Sequence, residues 1–308
     1  MIKVNGKEVE CGRFPDGTIN VKGDVSLSDS RVIISWHYAD DAEFMGVAFL
    51  TKYYQAQGCQ VALFLPYVPN ARMDRVEEHG DIFSMKYFGE LINSLNFSDV
   101  YIVDPHSSVA PAVIKNCSIL NFETSIRDIV IKEIISQTGD MPILFYPDAG
   151  AMKRYSKDIP EGITHVAFGS KKRDWKTGNI LGLDVFGVKP DEIKGKDILI
   201  QDDICSKGGT FYYSALALKE MGARNIYLYV SHLENSVFFG EFTGQNKNLL
   251  ETGLIKHIFT TNSIEHIEFG DKISEYALFV WSKECVDIQG INMEDYHCPN
   301  DLLYRLSN

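Results

Sequence analysis

The chain has 308 residues, enough for two domains of ordinary size, and its 45% hydrophobic and 23% charged content is that of a globular protein. A formal net charge of −12 argues against a general nucleic-acid binder, no apolar run is long enough to cross a bilayer, and Met1-Ile2-Lys3-Val4-Asn5-Gly6 has no signal-peptide pattern. Six scattered cysteines (11, 59, 117, 205, 285 and 298), with no C-x-x-C and no zinc spacing, read as reduced thiols of a cytoplasmic protein.

Short apolar runs alternate with helix-like stretches along the chain, the pattern of an α/β fold. Residues 31–36 read as a strand, 42–57 as a helix closed by Gly58, and 60–65 as a strand stopped by Pro66. A helix over 82–95 and a strand over 100–103 follow, ending at Asp104-Pro105-His106. A second set has helix 125–138, strands 143–146, 165–168 and 197–201, helix 211–221 and strand 225–230. The strands look buried on both faces, as in mostly parallel sheets. The pattern predicts two tandem doubly wound α/β domains, 1–123 and 124–308, with a further helix over 299–306.

The most informative stretch runs from Asp197 to Thr210. It reads as a buried strand, two acids (Asp202, Asp203), a small turn (Ser206-Lys207-Gly208-Gly209-Thr210) and then a helix. The backbone N–H groups of such a turn and the start of the following helix can hold a phosphate. The two carboxylates come one turn earlier, where vicinal ribose hydroxyls or a metal would lie. An ordinary polar turn is the bland alternative, but it gives no reason for two adjacent acids at a strand end. The order of these features resembles type I phosphoribosyltransferase folds. In that group the acids bind the ribose 2- and 3-hydroxyls and the loop binds the 5-phosphate.

The other strand ends, where open α/β sheets place their ligands, carry Arg72, Asp74 and Arg75, then His106, then Asp148, then Lys171-Lys172-Arg173. Taken singly, each has a bland reading: Lys171–Arg173 as a solvated turn, His106 as a satisfied polar residue, Asp148 as a turn former. His79, His232, His257 and His266 read as structural or surface residues, and the pairs Tyr53-Tyr54 and Tyr212-Tyr213 as packing. Taken in order, residues from about 13 to 264 resemble the ribose-phosphate pyrophosphokinases. Arg13-Phe14-Pro15-Asp16-Gly17-Thr18 is similar to that family's early Phe-Pro-Asp-Gly-Glu segment, which implies that Phe14 and Asp16 serve the ATP of a neighbouring subunit. Residues 67–75 resemble its Pro-Tyr-Ala-Arg-Gln-Asp-Arg/Lys stretch, which implies ATP-binding roles for Arg72, Asp74 and Arg75. Asp104-Pro105-His106 resembles Asp-Leu-His, and Pro147-Asp148-Ala149-Gly150 matches Pro-Asp-Ala-Gly. These imply that His106 is a magnesium ligand and that Asp148 lies near the metal and the sugar. Lys153-Arg154 follow at the family's spacing. Lys171 and Arg173 resemble the Lys-x-Arg of its catalytic flexible loop, continued here by residues 174–179, and Thr261-Asn262-Ser263-Ile264 its late Thr-Asn-Thr-Ile.

The implied reaction is Mg²⁺-dependent transfer of diphosphate from ATP to the C1 hydroxyl of a ribose 5-phosphate, with AMP leaving, in a homo-oligomer with its active site between the two domains. Such a transfer needs little covalent work, so positioning and electrostatics dominate. The family loop reads Asp-Asp-x-x-Asp-Thr-x-Gly-Thr. Here Ser206 replaces an acid and Lys207 a threonine, which makes the loop more positive by two charges. That predicts a more negative acceptor such as ADP-ribose, and a place in NAD salvage, as the alternative to ribose 5-phosphate. A phosphoribosyltransferase and a catalytically silent regulatory paralogue are the further alternatives. The segment after Ser35 lacks the family's regulatory Ser-Gly pattern, Thr18 and Met73 replace family Glu and Gln, and the tail after Ile264 departs from it.

Overall fold

A computed structural model describes residues 1–23, 30–173, 180–239, 247–264 and 277–279, with the backbone only at 171–173, 180, 181 and 277–279. The chain divides into two compact units, one holding Met1–Asn121 and the other Phe122–Asn262.

The first unit opens with β1 (Ile2–Val4), β2 (Lys7–Val9) and a small hairpin, β3 (Cys11–Arg13) with β4 (Ile19–Val21). Then come β5 (Arg31–Trp36), α1 (Glu43–Ala56), β6 (Gln60–Leu65), α2 (Ser84–Ser94), β7 (Val100–Val103), α3 (Val109–Val113) and β8 (Cys117–Leu120). The sheet order is β2-β1-β5-β6-β7-β8, parallel from β5 to β8. β1 joins antiparallel, Ile2 opposite Trp36 and Val4 opposite Ile34. Val32, Ile34, Leu63, Leu65 and Ile102 on the strands pack with Val47, Leu50, Met85 and Ile92 from α1 and α2. Every residue of β6 after Gln60 is buried, as expected of a strand covered on both faces.

The second unit contains α4 (Glu123–Thr138), β9 (Ile143–Tyr146), α5 (Ala149–Tyr155), β10 (Val166–Arg173), β11 (Ile180–Phe186) and α6 (Pro190–Ile193). It continues with β12 (Ile198–Cys205), α7 (Gly209–Glu220), β13 (Ile226–Leu233), β14 (His257–Thr260) and β15 (Ala277–Phe279). The order is β11-β10-β9-β12-β13-β14-β15, with only the β10–β11 pair antiparallel. The α/β architecture with largely parallel sheets is therefore as the sequence pattern predicts. Among the described residues no helix is long and apolar enough to cross a membrane.

Two departures bear on the site. The strand expected at 165–168 continues to Arg173 and pairs with β11, so the backbone of Lys171–Arg173 lies in a ladder instead of a loop. The strand expected at 197–201 runs on to Cys205, so both acids lie inside it and not beyond its end. In each case pairing with a neighbouring strand supplies what local propensity does not: charged residues alone read as a turn. The expected loop 174–179 and helix 299–306 fall outside the described residues.

β12 is anchored at its start by a buried carboxylate. Asp197 is fully buried and takes bonds from Arg224 (2.6 and 3.0 Å) and Asn225 (2.8 Å), and Arg224 also reaches Asp140 at 2.8 Å. Burial pushes the Asp197 carboxyl up, but these bonds outweigh it and hold the group below its ordinary value. Such a group stabilises the fold above the unfolded pKa of about 3.9 and loses that contribution as pH falls through the folded value. Solvent screens part of the pair because Arg224 is 41% exposed. Asp197→Asn is therefore expected to cost about 1–3 kcal/mol at pH 7. Its urea midpoint should also fall less steeply than the wild type's as pH drops from 5 to 3; parallel pH profiles would remove the charge from this account.

Candidate functional site

The C-terminal ends of β9 and β12 gather three carboxylates. β12 stays paired with β13 past the core, Asp202 opposite Val230, Ile204 opposite His232 and Cys205 opposite Leu233. That ladder holds both Asp202 and Asp203 at fixed heights on the strand. Asp203 is buried at 3% exposure and accepts Arg154 Nη1 at 3.1 Å. Arg154 comes from the last turn of α5 and lies over the Tyr155 ring, 5.6 Å from its centroid. Asp202 keeps partial solvent access yet is densely surrounded, and its Oδ1 accepts the Asp203 N–H at 2.9 Å. Burial first, then the Asp203 charge and hydrogen bond, then the Asp148 charge, hold the Asp202 carboxyl well above its ordinary range. The two acids thus have different surroundings: Asp203 faces Arg154, while burial and its acidic neighbours raise the Asp202 carboxyl.

Asp148 follows β9 and caps α5, its Oδ1 accepting the N–H groups of Gly150 (3.0 Å) and Ala151 (3.1 Å). Capping fixes its place while the carboxylate still acts electrostatically on Asp202. Among the described residues no group of three or more His, Cys, Asp or Glu forms a ready metal cage.

The turn after β12 is shaped by Gly208, which has φ +91° and leads into α7. A Cβ there would be strained in this left-handed conformation and would meet Leu249 Cδ2 at 2.7 Å and its Cβ at 2.9 Å. The first N–H groups of the α7 helix, from Gly209, Thr210 and Phe211, lack partners within the helix by geometry, and with the dipole they favour an anion. Lys207 is exposed on this turn. Ser206 Oγ lies 3.0 Å from Ser236 Oγ, which donates to Glu234 Oε2 at 2.9 Å.

The first unit gathers a second set. Asp74 is buried and takes Arg75 Nε at 2.7 Å and Nη2 at 3.3 Å, while Arg75 itself is 64% exposed. The Arg75 bond, helped by a hydrogen bond from Ser107 and by the Arg75 and His106 charges, outweighs burial and holds the Asp74 carboxyl below its usual value. The segments after β6 and after β7 therefore meet at Asp74, Ser107 and His106. Arg72 is exposed. Phe14 is half exposed at the turn of the β3–β4 hairpin, which Asp16 closes by accepting Thr18 N–H at 3.0 Å and Thr18 Oγ1 at 2.7 Å. Lys171 and Arg173 are placed by their backbone on β10, with a register shift between Lys172 and Arg173.

Sequence reasoning noted Arg154 only for its spacing and missed Ser107, Glu234 and Ser236. The parallel register could have found the last two: residues just past the end of β13 must lie beside the turn just past β12.

No family model matches the chain. The ribose-phosphate pyrophosphokinase of Saccharolobus solfataricus is 26% identical over 262 residues, which cover 83% of this chain and 84% of that protein. That of Thermoplasma acidophilum is 29% identical over 224 residues, 71% of this chain and 73% of that one. The chain is a distant homologue of the ribose-phosphate pyrophosphokinases. The fold agrees: the crystal structure of phosphoribosylpyrophosphate synthetase from Mycobacterium smegmatis superposes with TM-score 0.67 at 19% identity, covering 89% of this chain and 86% of that one.

Two variants test the local physics. A carboxyl that holds its proton more tightly in the fold contributes stability below about 3.9 and loses it as pH rises through the folded value. Asp202→Asn, neutral at every pH, should therefore melt higher than wild type at pH 7, with the gap closing on acidification; an unchanged midpoint would show that Asp202 ionises without cost. Gly208→Ala should destabilise by about 1–3 kcal/mol in urea melts, from a strained φ and the Leu249 clash.

Proposed function

We propose that this protein transfers a diphosphate from ATP to the C1 hydroxyl of a ribose that carries a 5-phosphate, releasing AMP. The observation that carries this reading is the β12–α7 junction: an acid pair inside a strand end, a left-handed Gly208 turn and a helix N-terminus in direct succession. The distant homology to pyrophosphokinases over most of the chain supports it.

On this reading the N-terminus of α7 and the Gly208–Thr210 backbone hold the 5-phosphate, and Asp202 and Asp203 hold ring hydroxyls. Carboxyl oxygens accept from hydroxyls, so two adjacent acids suit a diol. Arg72, Asp74 and Arg75 belong to ATP binding, with Asp74 holding Arg75 in place. Asp148 and His106 are the protein donors assigned to Mg²⁺, which when bound neutralises phosphate charge. Lys171 and Arg173 meet the charge spread over the transferring group, a point charge and a planar fork. The half-exposed Phe14 supports a homo-oligomer in which it serves a neighbour's nucleotide. An exposed Lys207 on the phosphate turn favours, as the second reading, an acceptor with an additional phosphate such as ADP-ribose.

The decisive measurement is AMP release from ATP and Mg²⁺ with ribose 5-phosphate and ADP-ribose in parallel. Turnover with ribose 5-phosphate is expected. Turnover only with ADP-ribose would give Lys207 the choice of acceptor, a requirement for a nucleobase would indicate a phosphoribosyltransferase, and no AMP with either would leave a silent paralogue. Lys171→Ala should lower kcat by about 10²-fold or more with an unchanged melting midpoint. Full activity in that variant would remove Lys171 from the chemistry.

A further inference from the structure

The hydroxyl of Ser206 has a direction that follows from counting protons. Ser236 donates its one hydroxyl proton to Glu234 Oε2 at 2.9 Å, and a glutamate carboxylate accepts. The 3.0 Å contact between Ser236 Oγ and Ser206 Oγ can then close only if Ser206 is the donor. That commits the single proton of Ser206. What remains on its oxygen is acceptor capacity.

The arrangement is held from both strands. Cys205 pairs with Leu233 at the end of the β12–β13 ladder, and the Glu234 N–H donates to Cys205 O at 2.8 Å. The chain past β13 is thereby pinned to the residue before Ser206. An acceptor-only oxygen has nothing to offer a phosphate, whose oxygens are also acceptors and carry negative charge. It suits a group with an O–H to give. This count gives Ser206 a part different from the phosphate contact that its place in the turn suggests.

We propose that Ser206 reads a hydroxyl of the sugar substrate by accepting its hydrogen bond, and that Glu234, acting through Ser236, is the positioning residue that fixes this polarity. The proposal rests on the reading of the turn as a site for a phosphorylated ribose. It also returns a carboxylate to the turn by a route that runs through space from a neighbouring strand, so the turn is less positive than its own residues suggest.

The test is titration calorimetry of the full-length protein with ribose 5-phosphate and, separately, inorganic phosphate. Wild type is compared with Ser236→Ala, Glu234→Ala and Ser236→Thr, with melting midpoints to show that each is folded. Ser236→Ala and Glu234→Ala free the Ser206 proton. Each should weaken ribose 5-phosphate by about tenfold, the worth of one good hydrogen bond, and leave phosphate binding unchanged. Ser236→Thr, which keeps the hydroxyl, should bind as wild type. In steady-state assays the loss should fall on KM for the sugar and leave KM for ATP as it was. The analogue of ribose 5-phosphate that lacks the contacted hydroxyl should bind wild type and Ser236→Ala equally. If the variants bind ribose 5-phosphate as tightly as wild type, or lose sugar and phosphate together, the relay is wrong while the functional reading stands. If wild type binds phosphate but no phosphorylated ribose, the functional reading falls and this inference with it.

Discussion

The parallel pairing of β12 with β13 is the constraint on which the second unit's chemistry depends. The ladder does not stop where the apolar residues stop; it continues through Asp202 to Cys205. Backbone hydrogen bonds thus hold two acids at fixed heights, and the same ladder decides which residues of the next segment lie beside the turn. A pair of acids on a free loop would be two interchangeable anions. Held this way they have different neighbours: Asp203 faces Arg154, and burial with the Asp203 and Asp148 charges raises the Asp202 carboxyl.

Charge is handled by the same economy elsewhere. Asp148 is a helix cap and an electrostatic neighbour of Asp202 at once. Asp74 is buried but engages an exposed Arg75, so that a mobile, solvent-facing cation is tethered by a fixed anion. Asp197 anchors the start of β12 with Arg224 and Asn225, far along the strand from the acids it helps to hold in register. In each case a carboxylate organises backbone or side chains around it.

Much of this was legible in the residues. The runs over β5, β6, β7 and β9 are apolar, rich in β-branched or aromatic residues, and closed by a polar or proline-containing turn, so strand and boundary coincide. The helix α1 is closed by Gly58 at φ +84°, as its position suggested. What was not legible depends on partners distant in sequence. β1 and β2 have three residues each and exist because Ile2 and Val4 find Trp36 and Ile34. Lys171–Arg173 look like a turn until β11 lies beside them. The turn itself could be read from Gly208 and Gly209, but Ser206 could not be understood without Ser236, thirty residues on.

The β10–β11 pair has a consequence for how such a protein can change. Register with β11 sets the height of residues 171 and 173 along β10. Lengthening or shortening the connection therefore leaves the two cations at the same height on the sheet. Descendants of this chain can vary the length of the span between the strands without relocating the charges that the strand carries.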